Sequence, residues 1–236
     1  KRSQIHLNEL SDFPQPPLPA LEQYGGNLLS YLIIGTAFTS FLGVSLSSFQ
    51  GTIRAEQQMG TLEFLLISNT RLELILSYSG LMNFLQALLN VAILLIVVIF
   101  VFDIPMEVNI PAAALTMLLT IVSLSGIGMM SAGIIIMTKV GDPITWIFTT
   151  LTGLFSGVLF PVEYLPPQLQ AVSMVLPTTY ALDALRRALS NNASMSDIAP
   201  QLLLLGGIAL VTVPMGFAIF KLGYNRARKV GSLAQY

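Results

Sequence analysis

The sequence predicts an all-α, polytopic membrane helix bundle, and three observations predict it. Charged residues make up 10% of the 236, against about 25% in soluble domains, too few to coat a water-facing surface. Hydrophobic residues make up 54%, and mean hydropathy is +0.75. The apolar residues gather in uncharged runs, several of them long enough to cross a hydrocarbon core of ~30 Å. The chain has no cysteine and a single histidine, His6, remote from every run. Disulfide frameworks, thiolate metal sites and histidine-based triads therefore lack their usual parts. No basic patch is large enough to suggest nucleic acid as a partner.

Residues 1–27 are polar and punctuated by Pro14, Pro16, Pro17 and Pro19. Proline removes backbone donors and clashes with the preceding turn, so an extramembrane loop is expected. Residues 28–49 form the first expected span. Gly35, Thr39, Gly43 and Ser47 recur there every four residues as a smooth ridge. Such a ridge suits close packing within the bundle or self-association. Residues 51–79 then interrupt the apolar pattern with Arg54, Glu56, Glu63, Arg71 and Glu73. Gly60-Thr61 can break the helix leaving the first span, and residues 61–67 supply a short turn and a half. Thr70 and Glu73 match a capping box, in which each side chain satisfies a free amide of a new helix. The pattern describes a rigid lever lying across the membrane face. Its apolar run Phe64-Leu65-Leu66-Ile67 argues against a merely solvated loop.

Residues 74–102 are the second expected span. Ser79, Asn83, Gln86 and Asn90 follow at spacings of four, three and four, which puts them on one helical face. Burying an unpaired amide in hydrocarbon is costly, so this face bonds to another helix or lines a substrate path. Residues 111–137 are the third span, with Ser123, Ser125, Gly126, Gly128 and Gly133 as a second small-residue region. A turn over residues 139–142 leads to the fourth span, 144–160, with Trp146 as an interfacial anchor.

Residues 161–200 read differently. Pro166-Pro167 opens a segment too short to cross before Pro177 stops it. Thr178-Thr179 then offer capping hydroxyls to a helix over residues 180–189. Leu182, Leu185 and Leu189 share one face of that helix, and Asp183, Arg186 and Arg187 share another. Two short helices at one membrane surface, or dipping into it, are expected. Residues 201–220 form the fifth span, bent at Pro214, and 221–236 a basic tail.

Charge sets the expected sidedness. With residues 51–79 and the tail in the cytoplasm, that side holds seven basic residues (Arg54, Arg71, Lys139, Lys221, Arg226, Arg228, Lys229) and the other side four. Cytoplasmic loops carry the excess of Lys and Arg, so this orientation is favoured. Five spans then place Lys1 outside, which predicts a further spanning helix upstream and six in the whole protein. No phosphate-cradling G-x-x-x-x-G-K-[ST] and no H-E-x-x-H occurs, so no catalytic residue is assigned. No span carries an ionisable residue at its middle, which counts against proton- or voltage-driven transport.

Two stretches resemble the permease subunits of type-2 ATP-binding-cassette exporters. One is Glu56 followed by Gly60-Thr61-Leu62-Glu63 and Leu65-Leu66. The other is Ser156-Gly-Val-Leu-Phe-Pro161, then Leu165-Pro166, Pro177, Tyr180 and Asp183-Ala-Leu-Arg186. Order and spacing match over roughly residues 28–221. The chain departs in having Gln57 after Glu56, where the family often has Arg, and Asn69-Thr70 where it often has Pro. The resemblance implies a transmembrane permease domain over 28–221, between an extracytoplasmic loop, 1–27, and a cytoplasmic tail, 222–236. It implies a coupling helix within about 54–73 that docks on a separate ATPase subunit, with ATP and magnesium held there and no cofactor in this chain. Glu56, Gly60, Thr61, Glu63, Phe64 and Arg71 are the expected partner contacts. Ser79, Asn83, Gln86 and Asn90 are the expected path-lining face. Gly157, Pro161, Pro166, Pro177, Tyr180, Asp183 and Arg186 belong to an outer re-entrant gate over about 161–190. A second permease chain and membrane lipid are further expected partners, in a prokaryotic inner or plasma membrane. The rival readings are a stand-alone channel or secondary carrier, which predicts internal symmetry or broken helices, and a non-transporting membrane scaffold.

Overall fold

The computed structural model describes residues 24, 28–59, 78, 81, 82, 85, 86, 89, 92, 108–138 and 142–230. Six helices run through them: α1 (Leu28–Gln58), α2 (Ile110–Thr138), α3 (Pro143–Phe155), α4 (Pro167–Val175), α5 (Pro177–Ser190) and α6 (Ala199–Val230). A single 3-10 turn, Val162–Tyr164, precedes α4. Among the described residues there is no strand. Tyr78, Leu81, Met82, Leu85, Gln86, Leu89 and Ala92 are also helical, and all are exposed.

Helix boundaries depart from the hydropathy reading wherever a helix outruns or falls short of its apolar run. α1 does not stop at residue 49 but passes Gly51 and reaches Gln58, because a helix interior tolerates the polar residues that end a span. Its 31 residues are about 46 Å long. α6 likewise runs through Lys221 to Val230, so the expected tail begins as a continuation of the helix, and Pro214 lies inside it. The fourth expected span falls short. α3 has only 13 residues, about 20 Å, and residues 156–160 turn away from it. Gly157 at φ +79° makes that turn, in the left-handed region that costs glycine little.

The helix ends follow from local chemistry. Asp142 caps α3 by accepting from the Thr145 amide, and it also accepts the Ser131 hydroxyl of α2. Pro143, Pro167 and Pro177 each stand at the first turn of a helix, where the missing N–H costs nothing and the fixed φ is already helical. Pro166 and Pro161 precede α4 and the 3-10 turn as their cap residues. The prolines therefore open the short helices as well as closing what comes before.

α2 is the central helix: 61% of its apolar window is buried, against 17% for α6. Four glycines bring the two backbones together. A Cβ on Gly126 would lie 2.3 Å from the Thr212 carbonyl, and one on Gly216 would lie 2.3 Å from the Gly126 carbonyl oxygen. Seven residues further along each helix the contact repeats, with Gly133 against Phe220 and Gly223 against Gly133. Thr212 donates its hydroxyl to the Ser123 carbonyl at 2.9 Å. Residue number rises along both helices together, so α2 and α6 are parallel. Small-residue faces of this kind permit backbone approach in an apolar solvent. The ridge on α1 is used differently. Gly35 packs hard against Val158, whereas nothing lies within 4 Å of a Cβ on Gly43. The apolar core joins Ile34, Phe38, Phe41 and Leu42 of α1 to Leu124 of α2 and to Leu182, Leu185 and Leu189 of α5.

Candidate functional site

One end of the bundle holds a polar cluster built on α5. Helix α5 is amphipathic, but its division is not the one its leucines and charges suggest. Arg186 is 2% exposed and is buried together with Leu182, Leu185 and Leu189. Sequence pattern put it on the charged face. The structure turns it inward because the end of α1 and the turn after α3 together offer a bed of three main-chain acceptors to its two terminal nitrogens.

That bed is made of main chain and aromatic rings. The guanidinium donates from Nη1 to the Gly157 carbonyl at 2.8 Å. From Nη2 it donates to the carbonyls of Val158 at 3.1 Å and Tyr31 at 3.2 Å. Its central carbon stands 3.4 Å from the centroid of the Tyr31 ring and 5.7 Å from that of Tyr24. Tyr31 in turn donates its hydroxyl to the Gly157 carbonyl at 2.6 Å. Three elements (α1, the turn at residues 156–158, and α5) therefore meet at one cation. Hydrogen bonds to a charged group are worth about 1.5–3 kcal/mol each, and a desolvated cation–π contact about 2. Removing a cation from water costs several kcal/mol. The bonds and the ring contact compensate the buried charge, and because they come from three separate elements the arginine fixes how those elements meet. Its Nε has no hydrogen-bond partner among the described residues.

Gly35 makes the arrangement possible. A Cβ there would sit 2.5 Å from the Val158 oxygen and 2.9 Å from Arg186 Nη2, so only glycine lets α1 come this close. Around the arginine lies a second layer centred on Asp183. Its carboxylate accepts the Tyr24 hydroxyl at 2.8 Å, the Arg187 Nε at 3.0 Å and the Gln201 amide at 2.7 Å. Burial, and then the charge of Asp183, raise the pKa of the Tyr24 phenol and keep it neutral. Tyr24, Tyr31, Glu163, Asp183, Arg186 and Arg187 contribute to the wall of a cavity of about 180 Å³. Its charges are mixed in sign: Asp183 pairs with Arg187, and Arg186 bonds to main-chain carbonyls.

Beside the cavity a row of hydroxyls ties α3 to α5. Thr178 is fully buried and shares hydrogen bonds with Ser156 (2.6 Å) and Thr152 (3.2 Å). Its expected role as a cap is therefore corrected. Helix α5 starts at Pro177, its cap residue Leu176 makes no side-chain bond, and the Thr178 hydroxyl is taken by α3. Tyr180 donates to the Met174 carbonyl at 2.7 Å, which closes the α4–α5 corner.

The structure thus brings together Gly157, Tyr180, Asp183 and Arg186, with buried Pro161 and with Pro177 close by, while Pro166 stands at the exposed start of α4. Gly60, Thr61, Glu63, Phe64, Arg71, Ser79, Asn83 and Asn90 lie outside the described residues. Glu56 lies in the last turn of α1, and nothing is described of its side chain. Gln86 is exposed on a helical face shared with Met82, Leu85 and Leu89. Sequence reasoning missed Tyr24, Tyr31 and Gln201. The one available signal was Tyr31 standing four residues before Gly35, a polar aromatic leading into the small-residue ridge. A larger groove of about 670 Å³ between α2 and α6 has only apolar side chains and glycine in its wall, Gly206, Gly207 and Pro214 among them, and so nothing to orient a ligand.

Among known proteins, the model of the family described as ABC-2 family transporter protein matches residues 4–218. No curated protein and no solved structure matches the chain.

Proposed function

The chain belongs to the ABC-2 transporter family, and from that premise we propose that it is the membrane subunit of an exporter driven by a separate ATPase subunit. Members of this family are integral membrane components and are not catalytic themselves; they work with an ATP-binding-cassette partner. In the proposed arrangement residues 61–67 lie in the cytoplasm and dock on that partner, with Glu63 and Arg71 as polar contacts and Phe64 as the apolar anchor. Two permease chains pair, and ATP and magnesium are held by the ATPase. Asn83, Gln86 and Asn90, with Ser79, line the path or bond the helices beside it. Residues 161–190 form the outer gate, and the cargo moves outward.

The observation that carries this reading is the reach of α1. At about 46 Å it exceeds a ~30 Å hydrocarbon core, so one rigid rod can join both membrane faces. One of its ends holds Tyr31 and Gly35 in the arginine cluster, and the other leads through Arg54 to Gln58, two residues before Gly60. A push that reaches Gln58 is carried along one continuous helix to the cluster.

Co-purification of the full-length protein from detergent with an ATPase subunit, and ATP-dependent export by that complex in liposomes, tests the assignment. Glu63→Ala combined with Phe64→Ala is expected to lower coupled ATP turnover about tenfold, the effect of losing ~1.4 kcal/mol at an interface. Turnover and export that survive both changes with the complex intact would rule out the lever.

A further inference from the structure

We infer that Arg186 is the releasable latch of α1: its guanidinium holds the Tyr31 end of α1 against the turn at residues 156–158, and transport requires that this contact open. The inference rests on the reading of the chain as an ATP-driven transporter and adds the part that moves.

The packing separates a fixed pair of helices from a held one. α2 and α6 meet backbone to backbone at two levels one heptad apart, and neither level can slide without a carbonyl striking a Cα. The α1 contact is of another kind. Near its Tyr31 end, α1 is tied by the Tyr31 hydroxyl, the Tyr31 carbonyl, the Tyr31 ring and the close approach of Gly35, all within five residues and all converging on Arg186 or its bed. Further along, Gly43 and Gly51 meet nothing within 4 Å among the described residues, and α1 is held by apolar side chains, Phe38, Phe41, Leu42 and Leu46, which carry no directional bond.

The chemistry of the contact suits release. Arg186 has no carboxylate within bonding distance among the described residues; its acceptors are three main-chain carbonyls, and the nearby Asp183 is occupied by Tyr24, Arg187 and Gln201. A direct ion pair in a dry site would be hard to part. Carbonyl acceptors and a ring face can be exchanged for water when α1 withdraws, because water offers comparable partners to both sides. Two of the three acceptors, Gly157 and Val158, sit beside α3 and not on α1, so the arginine stays anchored there while α1 leaves. A movement of α1 removes the Tyr31 carbonyl, the ring face and the Gly35 packing together, which makes the contact two-state rather than graded.

The 236 residues contain no cysteine, so labelling can be read at one introduced thiol against the complex without it as the blank. Val158→Cys places a near-isosteric thiol at a buried position, 5% exposed, whose main-chain carbonyl lies against Gly35. In the full permease–ATPase complex in liposomes, a charged membrane-impermeant thiol reagent should react slowly without nucleotide and faster when ATP is trapped. Arg186→Lys keeps the charge but loses the planar fork. Gly35→Ala keeps the arginine itself but sets a methyl 2.5 Å from the Val158 oxygen and 2.9 Å from Arg186 Nη2, and so wedges α1 away from both. Each should speed labelling without nucleotide by about tenfold, the population shift expected from losing one hydrogen bond to a charged group. Each should also raise ATP turnover in the absence of cargo. Both variants are compared only as monodisperse complexes, and Arg186→Gln serves in place of either that fails to assemble. Labelling that is the same with and without ATP, and unchanged by the variants, in a complex that still exports with ATP would overturn the latch while leaving the transporter assignment standing. Loss of ATP-dependent export from the parent complex would instead remove the assignment on which the latch rests.

Discussion

Adding one methyl group to Gly216 should break the α2–α6 pair, whereas the same methyl on Gly207 of the same helix should not. A Cβ on Gly216 would lie 2.3 Å from the Gly126 carbonyl oxygen and 2.9 Å from the Gly126 carbonyl carbon and Cα. All three are main-chain atoms inside α2, so no rotamer change can relieve the overlap. The helices must separate until that contact reaches the 3.4 Å of ordinary packing. Overpacking of this kind costs ~1–3 kcal/mol, and a backbone clash belongs at the upper end. Separation also weakens the Thr212 to Ser123 hydrogen bond, worth ~0.6 kcal/mol in a membrane interior. About 3 kcal/mol is therefore the expected loss for Gly216→Ala. Gly207 has nothing within 4 Å of its Cβ position, and alanine there should gain ~0.5–1 kcal/mol by restricting the unfolded chain. The assay is unfolding of the purified protein by SDS titration, followed by far-UV circular dichroism. If Gly216→Ala is no less stable than Gly207→Ala, the claim that backbone contact organises this helix pair is wrong.

Two further predictions concern the polar cluster. Thr178→Val keeps the shape but removes the hydroxyl shared by Ser156 and Thr152. It should cost ~1–3 kcal/mol in the same titration, with Thr178→Ser largely restoring stability, because unsatisfied buried hydroxyls carry their full desolvation penalty. The Tyr24 phenol has a folded-state pKa raised by burial first and by Asp183 second. Its stabilisation is therefore fully present below the ordinary tyrosine value of about 10 and is lost as pH rises above it. The stability advantage of the parent over Tyr24→Phe should shrink between neutral pH and alkaline pH, and a flat difference would contradict the Tyr24–Asp183 contact.

How far the sequence reaches can be judged at particular residues. Ser156-Gly-Val-Leu-Phe-Pro161 and Asp183-Ala-Leu-Arg186 stand out as parts of one pattern, and Gly157 and Arg186 prove to be hydrogen-bonded to each other through backbone and side chain. The prolines at 166, 167 and 177 mark the short helices because their effect is local: a fixed φ and a missing donor act wherever the residue stands. Thr178 and Arg186 were misplaced for the opposite reason. A threonine near a helix start reads as a cap and an arginine beside Asp183 reads as surface, unless the neighbouring element supplies partners. Here Ser156 and Thr152 take the threonine, and the Gly157, Val158 and Tyr31 carbonyls take the arginine.

The sequence by itself determined the membrane class, two long apolar helices, the short helices opened by prolines and the small-residue faces. All of these follow from composition and from periodicities of three to four residues, which need no knowledge of what lies across the bundle. Only the tertiary structure decided that Gly126 and Gly133 meet Gly216 and Gly223, that the third apolar run and the last run parallel, and that α1 ends against a buried arginine. Those are contacts between residues up to 155 positions apart. Close packing chooses them by which backbones can approach and which carbonyls are left without a donor, and neither quantity is written along a single helix.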